Sequence, residues 1–273
     1  MLKFTILVLA FFLQACVSAT KQADQILMNS GQLPRQAQIE NIVFIDQSAG
    51  FCGPATLAMA MNWAGASSIS VDELAMQVFT PGMNGSLQTD LISASRRHGL
   101  MAVQIDSLQS LLSEVAAGHP VIVFENLSLS WAPQWHFALV VGYDLNKQQV
   151  IMHSGHDSSF HWDLRKFERS WKLGEYWGLV VLPSGQIAEY ASELANVTSA
   201  VGLEQTLKLT EAAKSYKKIL DKWPTNLVAL IGLANHSFTE GRKQEAIELL
   251  NLAVKYHPDS VSAKHNLALA LAK

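Results

Sequence analysis

Residues 46–65 read DQSAGFCGPATLAMAMNWAG. From Cys52 onward the stretch is apolar on nearly every face, which predicts a helix buried at the centre of a domain rather than one lying on its surface. Pro54 suits the first turn of that helix, where a missing N–H leaves no carbonyl unpaired. Cys52 therefore stands at a helix N-terminus, where the peptide dipoles favour a thiolate. The plain alternative is a small buried hydrophobe with no chemistry. The rest of the chain decides between the two.

The chain has 273 residues, enough for two domains with real cores. Charged residues make up 16% and hydrophobic ones 49%, with a net charge of −3, which excludes a disordered chain and a polybasic nucleic-acid binder. The N-terminal residues stand apart from the rest. MLK gives a positive start, FTILVLAFFL an apolar run, and LQAC comes directly after. That is the pattern of a secretory signal peptide. Leu13 and Ala15, three and one positions before Cys16, resemble the lipobox of bacterial lipoproteins. The resemblance implies a signal peptide over 1–15, a lipid on Cys16, and attachment to the membrane of the bacterial cell envelope. Val17, in place of an aspartate, points to the periplasmic face of the outer membrane. An ordinary signal peptide cut near Ala19 is the alternative. With Cys16 acylated, Cys52 is the one remaining thiol of the two in the chain, without a disulfide partner in an oxidising compartment.

Residues 16–40 are polar with little periodicity and read as a tether. NIVFID, 41–46, reads as a short strand. Ser70 and Glu73 form a capping box ahead of an amphipathic helix. Further helices are expected from about Ser86 to a stop at Gly99, and over SLQSLLSEVAAGHP, ended by Gly118 and Pro120. Strand signals come next in PVIVFEN, HFALVVGYD, QQVIMHS and YWGLVVLP. Helices and then strands predict an α+β domain over 41–185, with helices packed on an antiparallel sheet. From 186 to 273 the period is helical throughout. Ala212, Tyr216 and Pro224 recur 34 residues later as Ala246, Leu250 and Pro258, the period of a tetratricopeptide repeat. The second domain is thus an all-α tetratricopeptide array, which calls for a protein partner or a neighbouring surface to cover it.

A thiol nucleophile needs a base, a group that orients the base, and donors for the oxyanion. Gln47, five residues before Cys52, is a candidate to join the Cys52 N–H as an oxyanion donor. Among nine histidines, His136 opens a strand beside a tryptophan-bearing loop, a fixed platform that suits a base. The order Q-x-x-x-x-C-G-P-A, then G-H-P-V-I-V, then H-F-A-L-V-V-G-Y-D resembles the bacterial double-glycine-leader (bacteriocin-processing) cysteine peptidases and their papain-like relatives. The resemblance covers about 41–185. It implies a papain-like fold with Cys52 as nucleophile, His136 as base and Gln47 as oxyanion donor, and hydrolysis of a protein or peptide substrate. It calls for no cofactor and no metal.

One element departs from the family. Its members carry an aspartate in the strand after the histidine strand, and here that position falls on His153 or Ser154. Ser154 through its hydroxyl, or Asp157 by folding back, is the expected third member. The loop HSGHDSSFHWD collects His153, His156, Asp157, His161 and Asp163, but at spacings that match no standard zinc motif, so it reads as a solvated loop. Trp131, Trp135, Trp171 and Trp177 are candidates for lining a cleft or for packing. Three functions fit these residues: a peptidase, a peptidase-fold binding lipoprotein whose carboxylate is lost, and a thiol acyl or amide transferase.

Overall fold

The computed structural model describes residues 20–272 apart from 48, 49 and 67, so the leader and Cys16 lie outside the described residues. The apolar run that begins at Cys52 forms helix α2, Cys52–Trp63, with every residue from Gly53 to Met61 buried. It lies on an antiparallel sheet in the strand order β4 (Leu100–Ile105), β9 (Gly178–Pro183), β5 (Val121–Asn126), β6 (Trp135–Asp144), β7 (Gln149–Ser154), β8 (Asp157–Asp163). Leu57, Met59 and Met61 of α2 meet Ile122, Phe137, Leu139 and Val181 from one face of this sheet. The alternate strand residues, among them Val123, Ala138, Val140 and Met152, turn to the other face and join a second core. Helices α3 (Val71–Val78) and α4 (Gln88–Arg97), joined by the short hairpin of β2 (Phe79–Thr80) and β3 (Gly85–Ser86), complete the first layer, and α5 (Leu108–Ala116) and α6 (Leu164–Leu173) lie against the second. The expected α+β domain with an antiparallel sheet is present, and so is the capping box: Ser70 Oγ accepts from Glu73 N–H at 3.2 Å and Ser70 N–H donates to the Glu73 carboxylate at 2.9 Å.

Three segments differ from the sequence reading. Residues 21–38 are not a tether. They form helix α1 (Lys21–Met28) and edge strand β1 (Gln36–Gln38), which pairs with β6 from Asp144 to Gly142. The buried Glu168 carboxylate accepts from the N–H groups of Gln22 and Ala23 at 3.1 and 2.7 Å, so a negative charge sits at the positive end of α1. Ala23, Ile26 and Leu33 enter the second core, a sparse apolar pattern hidden by its polar neighbours. Residues 41–46 form no strand, since β1 already occupies the place beside β6. The loop expected over 153–163 is the end of β7 and the outer strand β8, whose residues 157–159 are exposed and so carry no apolar alternation.

Beyond β9 come α7 (Glu193–Gln205), α8 (Leu209–Lys222), α9 (Leu227–Thr239), α10 (Lys243–Tyr256) and α11 (Val261–Ala272). Helix α7 lies along β4, the outermost strand, where Ser199 Oγ accepts the Ala102 N–H at 2.7 Å and so satisfies a group on the open edge. Ala200, Leu203, Ala212, Tyr216 and Ile219 from α7 and α8 share one continuous core with Val103, Leu111 and Val180 of the sheet domain. Gly232 lets α9 close on α8, because a Cβ there would stand 2.4 Å from the Tyr216 ring. Only farther out do α9, α10 and α11 pack mainly on one another, around Ala234, Ala246, Leu250 and Ala270.

The shared core makes the sheet domain depend on the first helices of the array. Truncation after residue 185 strips α7 from β4 and exposes the core residues that α7 and α8 cover, so the sheet domain should lose its cooperative thermal transition. Truncation after residue 241 should leave that transition in place. Equal Tm values for the full chain and the shorter truncation would show that the helices contribute nothing to the sheet domain.

Candidate functional site

The N-terminal turn of α2 is held against β6 at a single residue of that strand. Cys52 and Thr56 are one turn apart and face the same way. The backbone N–H groups of Phe137 and Gly53, together with its own, face the Cys52 sulfur and favour its thiolate. Thr56 Oγ1 donates to the Phe137 carbonyl at 3.3 Å. Both backbone groups of Phe137 are thereby engaged by successive turns of α2. Gly53 lets α2 close on Ser86, whose Oγ would stand 2.6 Å from a Cβ there, while the Phe137 ring at 3.5 Å is in ordinary van der Waals contact.

Because the Thr56 hydroxyl donates to a carbonyl, it accepts from Gln47, whose Nε2 lies 3.1 Å away. Gln47 Oε1 in turn accepts the Gly155 N–H at 3.1 Å, and the Gln47 N–H donates to the Gly155 carbonyl at 3.1 Å. Gln47 is buried, and it ties the loop ahead of α2 to the turn between β7 and β8. The residue before that Gly155 is Ser154, and its Oγ stands 3.0 Å from His136 Nε2. His136 immediately precedes Phe137, so the contacts close into a ring: Cys52, Phe137, Thr56, Gln47, Gly155, Ser154, His136.

Of the two residues at the third position, strand alternation selects one. Ser154 points to the face that carries Ala138 and Met152, where the His136 ring meets it. His153 points to the other face, where it is buried edge-on to Phe44 at 5.5 Å. Asp157 pairs with Ser154 across the turn, but its carboxylate accepts from the Ser159 N–H at 2.8 Å and is exposed. The hydrogen bond of the His136 ring goes to Ser154, and among the described residues none joins that ring to the Cys52 sulfur. Among the described residues no three His, Cys, Asp or Glu side chains converge as metal ligands. His156 pairs instead with Asp46 at 2.5 Å, at the surface.

Burial decides the resting charges. Burial pushes the Cys52 thiol above its ordinary value, and the three backbone N–H donors offset only part of that rise. The depressed thiol expected from the helix end is therefore not what this environment gives. Burial also takes His136 down to about 4, which leaves the imidazole neutral through the physiological range.

Sequence reasoning misses Thr56 and Glu125. Glu125 lies directly opposite His136 in the β5–β6 register and is fully buried. The neighbouring Ser170 hydroxyl is already donated to the Asn126 carbonyl at 2.8 Å, and among the described residues neither carboxyl oxygen of Glu125 has a hydrogen-bond partner. Glu125 and Ser154 line a cavity of about 390 Å³ with Phe160 and Trp162. An acidic residue inside PVIVFEN gives no sign of this, because β5 alternates between two buried faces.

The same burial gives Glu125 a stability signature. Burial pushes its carboxyl up to about 8 from an ordinary 4.5, so the folded chain holds a proton that the unfolded chain has released. Its contribution is complete below the ordinary value and is lost as pH rises through about 8. Tm measured against pH should thus fall less steeply for Glu125→Gln than for the parent between those two values. Parallel curves would mean that Glu125 is already ionised in the folded chain.

The model of the Peptidase_C39 like family matches residues 32–176. A tetratricopeptide repeat model matches residues 208–271. No curated protein matches the chain. Among solved structures, a protein from Bacillus anthracis described as a C39-like peptidase is 17% identical, with a TM-score of 0.47, and the match covers 55% of this chain and 98% of that one. The peptidase domain of Streptococcus ComA, a bi-functional ABC transporter involved in quorum sensing, is 19% identical with a TM-score of 0.43, over 52% of this chain and 99% of that one. Xylellain, a cysteine protease from Xylella fastidiosa, is 11% identical with a TM-score of 0.42, over 58% of this chain and 88% of that one.

Proposed function

Since the chain belongs to the Peptidase_C39 like family, we propose that it is a cysteine peptidase with Cys52 as nucleophile and His136 as base. The observation that carries this reading is the ring of hydrogen bonds that ties the Cys52 helix, the His136 strand and the Ser154 turn together. With Nε2 on Ser154, the other ring nitrogen, Nδ1, is the one free to take the thiol proton. As the sulfur attacks the peptide carbonyl, its proton moves to Nδ1, and Nε2–H donates to Ser154 Oγ. The imidazolium then gives its proton to the leaving amine, and a thioester remains on Cys52. Water, deprotonated by Nδ1, attacks the thioester and releases the acid product and the thiol. The Cys52 N–H and the Gln47 amide are the proposed donors to the oxyanion. One Gln47 N–H is held by Thr56, and the other is the one offered to the oxygen.

The lipid on Cys16 is proposed as the anchor to the cell envelope, at the periplasmic face of the outer membrane. The tetratricopeptide array is proposed to bind protein, not nucleic acid. A second reading, a binding protein on a peptidase fold, is favoured by one observation: a hydroxyl stands where the family carries a carboxylate.

An activity-based thiol probe, combined with a peptide-library cleavage profile, separates the two readings. The parent should label and cleave, Cys52→Ser should do neither, and His136→Ala should lose roughly 10²–10⁴-fold in kcat/KM. The acid limb should fall near the His136 value of about 4, since a protonated ring cannot accept the thiol proton as pH drops through it. Cleavage that survives Cys52→Ser would end the proposal. For the third member, Ser154→Ala should lower kcat by about ten-fold or more, with KM little changed. Asp157→Ala should match the parent. The reverse pattern would transfer the orienting role to Asp157.

A further inference from the structure

A cavity of about 880 Å³ lies between the sheet domain and the helix that opens the C-terminal array. Phe124, Trp135 and Trp177 form part of its sheet-side wall, and Tyr190, Leu194 and Thr198 part of the opposite wall. The aromatic wall starts beside the helix that carries Cys52. The Phe137 ring, against Gly53, tilts onto Phe124 at 4.7 Å, and Phe124 stacks on Trp135 at 5.0 Å. Trp177 stands edge-on to Phe137 at 5.9 Å. Trp135 and Phe137 flank His136 in β6 with their side chains on the opposite face of the strand, so the wall runs from the Phe137 ring, beside the N-terminal turn of α2, to α7.

The far wall is fixed in place. Ser199 holds the backbone of β4 at 2.7 Å, and Arg96 donates to the Thr198 carbonyl at 3.4 Å. Yet large apolar side chains are left open to this hollow: Trp135 is 49% exposed, Tyr190 55% and Leu194 75%. A concave surface of this size, apolar but with polar groups such as Gln104 and Arg96 among its lining, is the form of a ligand site.

We propose that this cavity is the substrate cleft, and that it takes an extended peptide segment next to the scissile bond and seats an apolar side chain of that segment between Trp135 and Leu194. The first helix of the C-terminal array is then a wall of the peptidase site itself. This rests on the peptidase reading, and separate binding and turnover measurements let the two fail independently.

The binding test uses the full-length Cys52→Ser chain, which can hold a peptide without turning it over. The probes are fluorescein-labelled decapeptides of Gly and Ser, each with one Leu scanned along the positions, read by anisotropy. At least one Leu position should tighten Kd about ten-fold over the Gly/Ser parent peptide. Adding Leu194→Glu or Tyr190→Ser should abolish that gain. Leu207→Glu, exposed but outside the cavity, should preserve it. In the chain with Cys52 intact, Leu194→Glu should raise KM for the preferred peptide about ten-fold with kcat held. Because Leu194 is mostly exposed, an unchanged Tm is expected for its variant. No Leu preference at any position, or a preference indifferent to residues 190 and 194, overturns the cleft. A preference that depends on Leu194 in a chain that cleaves nothing keeps the cleft and overturns the peptidase. Cleavage with no Leu194 dependence in binding or KM does the opposite.

Discussion

Everything at the site hangs on how one strand residue is held: the Phe137 C=O accepts from Thr56, and its N–H faces Cys52. A helix N-terminus laid across a strand has several registers open to it. Engaging both backbone groups of one strand residue from Cys52 and Thr56 leaves one register. A slip by a single residue would carry the Cys52 sulfur to the N–H of a residue whose side chain lies on the opposite face of the sheet. The Thr56 hydroxyl contributes twice, donating to Phe137 and accepting from Gln47, so the orientation of the Gln47 amide depends on it. Gln47 then sets the Gly155 backbone, and with it the hydroxyl of Ser154. Rigid support of this kind is what a proton transfer needs, because small misplacements of a reacting pair cost orders of magnitude in rate.

Two ionisable groups stand in antiparallel register here, the half-buried His136 and the fully buried Glu125, and burial moves them in opposite directions. Both are neutral at physiological pH. In the proposed mechanism a neutral imidazole and a protonated thiol make an uncharged resting site, and charge separates only as the thiol proton moves. In a site of low polarity such separation is costly unless donors wait for the negative charge and an acceptor for the positive one. The backbone N–H groups around the sulfur and the Ser154 oxygen at Nε2 are such groups. A serine there offers a dipole where an aspartate would offer a full charge.

What each residue buries determines how much of this is legible in the sequence. The uniformly apolar α2, the four strands rich in Val, Leu and Ile and the helical repeat are legible, because burial there is continuous and its period unambiguous. Cys52 and His136 are legible by their positions at the starts of a helix and a strand. The helix over Lys21–Met28 is not, since a buried carboxylate from Glu168, 145 residues away from Ala23, provides what apolar pattern does not. Strand β8 is hidden by its exposure. Glu125 and Thr56 are hidden by tertiary pairing, which no local spacing encodes.

The C-terminal helices show why a repeat motif does not by itself mark an independent module. A tetratricopeptide pair cannot bury its own face and must close on something. In this chain the first closure is onto β4, whose outer edge would otherwise expose unpaired backbone groups and invite a second strand. Ser199 satisfies one of those groups directly, and Ala200 and Leu203 enter the core shared with the sheet. Stability and the shape of the large cavity therefore depend on the same helix. A substitution that tilts α7 would loosen the β4 edge and move Leu194 relative to Trp135 in the same step, whereas one in α10 or α11 acts on helices that pack mainly on one another. The inner part of the array is bound by the needs of the sheet, and the outer part is the portion left free to face a partner.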